Sequence, residues 1–240
     1  MKIEGRNACK EALKQGKTID KALIFNGHLD ATGKEIVQEL KDKKIKIQFL
    51  DKAGLDRQSE TRKHQGVILF VTDFVYSEVE EILQVAKDKN EAPFVVICDS
   101  IEDPHNLGSI LRTSECLGAH GVIIPKHRNV TVNETVIKTS AGATQYIKVA
   151  KVTNINQTIE MLKENGIWIV GADMKGDEMG TFDLSGAMGV VIGGEDNGIS
   201  ALTKKLCDKL LKIEMKGNIT SLNASVAGGI FIHEVARVRK

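Results

Sequence analysis

The chain has 240 residues, 42% hydrophobic and 27% charged, with 33 Lys+Arg against 32 Asp+Glu for a formal net charge of +1. That composition excludes a disordered chain, a collagen and a coiled coil, and the length fits one large domain or two smaller ones. Aromatic residues make up only 4% and there are 3 prolines against 22 glycines, so the core must be aliphatic and platforms for stacking bases are few. The total conceals an asymmetry. Residues 1–75 carry 15 Lys+Arg and 11 Asp+Glu, a net +4, which leaves −3 for the remainder. A basic front before a mildly acidic back points to two units with different partners; a solvated, lysine-rich surface accounts for it equally well.

Cys9, Cys98, Cys116 and Cys207 form no CxxC pair, so zinc or thioredoxin-like chemistry has no support and no metal is expected. Cys98 lies in an apolar run and Cys116 in a helical pattern, where cysteine behaves as a small buried hydrophobe. The first residues hold no signal-peptide core, and no apolar stretch approaches the roughly 18 residues of a membrane span. The expectation is a soluble, reduced, cytoplasmic protein with no membrane partner.

In chain order, residues 5–15 show helical spacing, 21–26 (KALIFN) a strand, 33–43 a helix, 45–50 a strand, and 66–71 (GVILFV) a buried strand after the polar stretch DRQSETRKHQ. This predicts a compact α/β unit over 1–75. Residues 77–90 read as a charged helix and Pro93 interrupts, which places a linker over 76–92. From 93 to 240 short continuous apolar runs follow: 94–98 (FVVIC), 121–124 (GVII), 168–171 (WIVG) and 189–192 (GVVI). Helical patterns fall between them near 107–117, 133–140, 154–165 and 199–206, and again over 223–240. Such alternation predicts a parallel sheet covered on both faces.

Loops after strand carboxyl ends bind ligands in such sheets, and three here are unusual: 99–112 (DSIEDPHNLGSILR), 192–200 (IGGEDNGIS) and 213–229 (IEMKGNITSLNASVAGG). None is a P-loop, a GxGxxG dinucleotide fingerprint or a GxSxG elbow. In the first, Asn106 is a candidate N-cap, and Arg112 is either a surface ion pair or a bidentate grip on phosphate. His105 reads as a loop or packing residue. In the second, Glu195 is a solvated carboxylate or, between flexible glycines, one brought close to a substrate. In the third, Thr220, Ser221 and Asn223 are possible caps, and the small residues that follow, Gly228 and Gly229 among them, suit a close approach of backbone or ligand.

Together the motifs NxxxxxR (Asn106–Arg112), GGExxG (Gly193–Gly198) and SLNxSVA (Ser221–Ala227) resemble those of the SpoU (TrmH-like) RNA ribose 2′-O-methyltransferases. SAGA at Ser140–Ala143 is similar to that family's middle helix. The likeness covers about 94–238. The front unit, from GRNACKEAL to HQGVILFV, looks like the small substrate-binding domain of bacterial members, nearest the 23S rRNA guanosine 2′-O-methyltransferases, with tRNA guanosine methyltransferases next. The resemblance implies a C-terminal trefoil-knotted, parallel-sheet α/β methyltransferase domain (SPOUT class), preceded by a small α/β substrate-binding domain. It implies S-adenosylmethionine as cofactor, held at Gly193, Ile213 and Leu222; Asn106, Arg112, Glu195, Ser221 and Asn223 as catalytic positions; an RNA partner; and a homodimer. Glu214, Asp196 and Ala224 depart from the family's usual Pro, Gly and Val, and Asp196 adds a negative charge near the RNA path.

The family's proposed activator falls on Arg112. Arginine is effectively always protonated, so the physical reading is a phosphate grip and stabilisation of developing alkoxide charge. Lys10, Lys14, Arg6, Arg57, Arg62 and Lys63 are candidate phosphate contacts in the front unit. The competing classes are an RNA-binding module without catalysis, which should have lost one of Arg112, Glu195, Ser221 or Asn223, and a Rossmann-type enzyme, against which the missing phosphate fingerprint stands.

Overall fold

A computed structural model describes every residue except Lys44, Asp196 and Lys240. The chain divides into two units, Met1–Val75 and Tyr76–Lys240.

The first unit runs β1 (Lys2–Glu4), α1 (Arg6–Lys14), β2 (Thr18–Phe25), α2 (Ala31–Asp42), β3 (Lys46–Leu50), α3 (Lys52–Gln58) and β4 (Val67–Thr72). The strands form one mixed sheet in the order β1-β4-β2-β3, with β2 and β3 parallel and β4 antiparallel to its neighbours. Residues alternate across its two faces. Ala22, Ile24, Val67 and Leu69 point to the face where α1 and α2 bury Leu13, Ile36 and Leu40. Leu23 and Ile68 point the other way, onto Leu55 of α3. Asp30 and Asp51 start α2 and α3, their carboxylates accepting from Gly33 N at 2.9 Å and Gly54 N at 2.8 Å. After α3, the Glu4 carboxylate gathers the loop by accepting from Ser59 Oγ, Glu60 N and both groups of Thr61. Burial alone would raise its pKa; those bonds outweigh burial and pull it down to about 2.

The second unit opens with α4 (Val79–Asp88), closed at its start by a reciprocal box between Glu78 and Glu81. Its Val79, Ile82, Leu83 and Ala86 are buried, the first three in the unit's core. Residues 76–92 therefore belong to this unit; the expected linker is mostly a packed helix. Then come β5 (Phe94–Asp99), α5 (Pro104–Cys116), β6 (Gly121–Pro125), α6 (Glu134–Thr139), a 3₁₀ turn (Ala143–Gln145), β7 (Lys148–Val152), α7 (Ile155–Glu164), β8 (Trp168–Glu178), β9 (Met188–Gly193), α8 (Ala201–Leu206), β10 (Lys209–Lys212) and α9 (Ala224–Val238). All strands are parallel, in the order β10-β8-β9-β5-β6-β7. α4 and α7 cover one face. α9 lies on β9 so closely that a Cβ on Gly228 would stand 2.7 Å from Ile192 Cδ1. Arg239 ties the end of α9 to the strands' starting edge, over the Phe94 ring and onto the Gly186 carbonyl at 2.6 Å.

β1, α3, β7 and β10 were not expected, and β8 runs seven residues beyond its predicted end. Cys98 is buried, and burial pushes its thiol up to about 12. Cys116 corrects the expectation: it is exposed at the last residue of α5. No helix is long and apolar enough to cross a membrane among the described residues.

Candidate active site

β5 and β9 lie side by side and pair Asp99 with Gly193 at their carboxyl ends. From β5 the chain winds through β6 to β7, whereas β8 and β10 lie beyond β9. At such a reversal the two departing loops separate and leave a crevice. A cleft of about 180 Å³ opens there, bordered by Ser100, Asp103 and Asn106 on one side and Gly194, Glu195 and Ala224 on the other.

The loop after β9 folds tightly on its own backbone and against that of the loop after β5. A Cβ on Gly193 would lie 2.1 Å from the Gly198 carbonyl carbon, and one on Gly194 would lie 2.3 Å from Ser100 O. Ser100 itself takes φ 68°, a left-handed conformation that side chains rarely adopt. The turn is closed by Gly194 N to Asp99 O at 3.0 Å and Gly198 N to Gly194 O at 2.9 Å. The buried Asp99 carboxylate accepts from Ser200 N at 2.8 Å, fixing where the turn rejoins α8. Ile101 N donates to Asn129 Oδ1 at 2.7 Å and anchors the loop after β5. Asp99 and Asn129 were missed in the sequence. Asp99 is signalled only as a charge ending an apolar run.

Asn106 was expected as an N-cap. Asp103 takes that role, accepting from His105 N at 2.8 Å with Pro104 in the first helical position. This frees the Asn106 amide, which is buried in the first turn of α5. Its Nδ2 donates to Glu195 Oε1 at 2.9 Å, and its Oδ1 accepts from Asn223 Nδ2 at 2.9 Å. Asn223 Nδ2 also donates to Glu195 Oε1 at 2.5 Å. One side chain from each of the three unusual loops thus meets in a closed triangle. Asn223 caps α9 as well: its Oδ1 accepts from Ser225 N at 3.0 Å and Val226 N at 3.3 Å. Capping and site-building use opposite ends of one amide. Glu195 Oε2 accepts no hydrogen bond from a described residue, so one carboxylate oxygen is tied and the other is available.

The remaining expected residues are not in the triangle. Arg112 is six residues along α5 from Asn106, about 9 Å by helix rise. It is exposed and forms no hydrogen bond or ion pair with a described residue, which leaves its guanidinium available. Ser221 is exposed and unbonded in the same sense. Gly193 ends β9, Ile213 is half-buried just past β10, and Leu222 is exposed one residue before Asn223. None of these three borders the cleft. The His105 ring makes a weak contact, Nδ1 to Thr139 Oγ1 at 3.4 Å. Asp196 lies outside the described residues. Among those described, no cluster of His, Cys, Asp and Glu could hold a metal ion.

Two family models match the chain: RNA 2′-O ribose methyltransferase substrate binding over residues 2–77, and the SpoU rRNA Methylase family over residues 93–233. A Bacillus subtilis (strain 168) protein, YacO, placed by name in the TrmH family of tRNA/rRNA methyltransferases, is 42% identical over 238 residues, 99% of this chain and 95% of its own. A Staphylococcus haemolyticus protein (strain JCSC1435) of the same family name is 43% identical over 240 residues, with the same coverage. Among solved structures, the SpoU methyltransferase AviRb from Streptomyces viridochromogenes, in complex with its cofactor AdoMet, superposes with a TM-score of 0.62 at 22% identity over 99% of this chain and 89% of that one. An AdoMet-bound rRNA methyltransferase from Sinorhizobium meliloti gives 0.62 at 20% identity, over 98% and 86%. The fold is theirs, and on both its length and its motifs the chain belongs to the SpoU rRNA methylase family.

Proposed function

We propose that this protein transfers a methyl group from S-adenosylmethionine to a ribose 2′-hydroxyl in structured RNA, a guanosine of 23S rRNA being the first target to test. The observation that carries the reading is the hydrogen-bonded triangle of Asn106, Glu195 and Asn223, one residue from each family motif, at the carboxyl ends of the two central strands.

The chain's loops fit the cofactor. Gly193 lets two backbone segments close up at the end of β9, and Ile213 and Leu222 offer apolar side chains on either side of a stretch without regular structure. In this reading these three residues would hold it, by backbone groups and apolar cover. When bound, the cofactor supplies a methyl on a positively charged sulfur, already an activated leaving arrangement. The protein must then hold the hydroxyl in line and manage its proton. Positioning of this kind is worth several kcal/mol. Glu195, with Oε1 fixed by two amide donors, presents Oε2 to accept the ribose hydroxyl's hydrogen bond. Asn106 and Asn223 hold that carboxylate rather than touch the RNA. Arg112 grips the target phosphate and steadies charge developing on the ribose oxygen. The proton leaves to water, to a phosphate oxygen or to Glu195.

The working form in this reading is a homodimer. α9 presents Val226 (50% exposed) and Ile230 (37%) one turn apart, Leu222 (38%) is exposed just before the helix, and Arg112 of α5 is next to Thr113, which faces Gly229 of α9. An apolar stripe beside an unpaired arginine suits two-fold pairing that brings Arg112 of one subunit toward the other's triangle. The trefoil knot belongs to this reading too. After the edge strand β10 the chain returns to the centre, where Asn223 meets both earlier loops.

The test is a methylation assay on total RNA from a strain lacking the protein, with the modified nucleotide mapped. A 2′-O-methylated rRNA nucleotide is expected; a mapped tRNA nucleotide would move the target, and no incorporation would sink the reading. Arg112→Ala should lower turnover by about 100-fold or more with cofactor binding unchanged. Normal turnover would remove Arg112 from the mechanism.

A further inference from the structure

The first unit has one sheet face only partly covered. α3 packs on Leu23, Ile68 and Leu50 at one end of it. At the other end, strand register brings four residues into one row across all four strands. Lys2 of β1 pairs Phe70 of β4, Phe70 pairs Lys21 of β2, and Lys21 pairs Lys46 of β3. All four point to the same face, opposite Ala22, Ile47 and Leu69, which point to α1 and α2. Like charges directly opposite on neighbouring strands are unfavourable, yet Lys21 stands opposite Lys46. A bulge at Asp20 aims Lys21 into this row, and bulges of this kind re-aim side chains at binding sites.

The row is also organised. Lys21 Nζ sits 4.4 Å from the Phe70 ring centroid and Lys2 Nζ 5.7 Å, so the ring holds two ammonium groups by cation–π attraction and is not left open for stacking. Lys2 is further held by Glu60 at 3.3 Å and the Gln58 carbonyl at 3.1 Å. Asp20, the nearest acid along β2, accepts from Thr72 Oγ1 at 2.7 Å. Lys46 is exposed and has no ion pair with a described residue, and the same is true of Arg57 at the end of α3. Between this row and α3 lies a cleft of about 150 Å³, with Leu23 and Leu50 at its base and the amides of Gln48 and Gln58 at its rim, beside Lys21 and Arg57.

We infer that this sheet face is a binding site for a single-stranded segment of the RNA substrate. Lys21, Lys46 and Arg57 take phosphates, and Gln48 and Gln58 meet the edge of one unstacked base over Leu23 and Leu50. Cations tracking a backbone beside an apolar seat with amide donors and acceptors is the chemistry single strands select. Of the six cations the sequence offered, the site keeps Arg57 and adds Lys21 and Lys46, whereas Arg6 and Lys10, on the front helix, are ion-paired to Asp30 and Glu35. The inference rests on the RNA reading above.

The experiment measures fluorescence anisotropy of a labelled random-sequence single-stranded RNA of about 12 nucleotides with the full chain. Lys21→Glu/Lys46→Glu is compared with Lys34→Glu/Lys41→Glu, an equal change of charge on exposed, unpaired lysines of α2 against the opposite face. The sheet-face pair should lose about tenfold or more in affinity and reduce the salt slope by about 1.4, the value for two phosphate contacts on a single strand, while the α2 pair stays near wild type. Lys46→Gln/Arg57→Gln, a milder pair, should weaken binding in the same direction. Circular-dichroism spectra and melting curves of each variant, compared with wild type, confirm that the first unit that carries the substitutions is folded. Equal losses in both double variants, or none in the sheet-face pair, overturns the site. Wild-type methylation of total RNA judges the enzymatic reading separately, so either can fail alone.

Discussion

The two sheets of this protein treat their polar groups in opposite ways. In the first unit the charges at the proposed site, Lys21, Lys46 and Arg57, stand on a partly open face with no ion pair to a described acidic residue, and a phenylalanine aims one of them. In the second unit the polar groups at the strand ends are locked to each other, with Asn106, Glu195 and Asn223 joined by hydrogen bonds of 2.5–2.9 Å. Loops there pack so tightly that no Cβ fits at Gly193 or Gly194. The difference separates gripping from chemistry. A phosphate backbone is flexible and wet, and free cations suffice to hold it. A methyl transfer tolerates little misalignment, so its groups must be fixed before the substrate arrives.

The contrast can be broken at several points. The largest stability effect should come from α4. Ile82 is fully buried in the second unit's core, so Ile82→Ala should destabilise the protein by about 2–5 kcal/mol in chemical denaturation. A change within about 0.5 kcal/mol would return residues 76–92 to the role of a connecting segment. Asn223 comes next, because it separates holding from capping. Asn223→Asp keeps an acceptor for Ser225 N and Val226 N but can no longer donate to Asn106 and Glu195. Methylation should drop by about 100-fold while α9 stays capped; Asn223→Ala should lose the activity and about 1 kcal/mol of stability as well. Near-normal activity of the Asp variant would reduce the triangle to a structural cap.

The smallest effect is a pH dependence. His120 is buried, its Nδ1 accepting from Phe94 N at 2.9 Å and its Nε2 facing Glu91 Oε2 at 3.0 Å. Burial lowers its pKa, against the raising influence of Glu91. The unfolded chain therefore takes up the proton first. The stability this histidine contributes is complete above its ordinary value of 6.5 and declines as pH falls below it. Melting temperatures taken from about pH 7 to about pH 5 should fall, and His120→Gln should flatten that slope. An unchanged slope would show that another group carries it.

Much of this was legible from residues alone. The central strands of the second unit are unbroken apolar runs because both faces are covered, and the three loops stood out by their small and polar residues. The edge strands were not legible. β7 (KVAKV) and β10 (KLLK) alternate lysine with short apolar pairs, as strands do where one side meets water. α3 was hidden because only Leu55 and Gly54 of its seven residues are buried, too few to mark a period. Asn106 was misread as a cap because Asp103, three residues earlier, offers the same short acceptor with Pro104 behind it. The row Lys2–Phe70–Lys21–Lys46 could not be seen at all, since it exists only once the register of four strands is set. Nor could the sequence separate Arg6 and Lys10, which are paired with Asp30 and Glu35, from Arg57, which pairs with no described acid.

The placement of Asn223 also governs when the site comes into being. Its amide begins α9, and α9 is held down by Gly228 against Ile192 and by Arg239 at the far edge of the sheet. A chain emerging from the ribosome folds its earlier parts first. Asn106 and Glu195 would then wait, facing each other, until α9 emerges and docks. A fragment that stops short of α9, or a chain clipped before it, keeps the face proposed to bind RNA and lacks the third corner of the triangle. If that face binds RNA, such a fragment would occupy a target without modifying it, and the last helix would divide a modifying protein from an obstructing one.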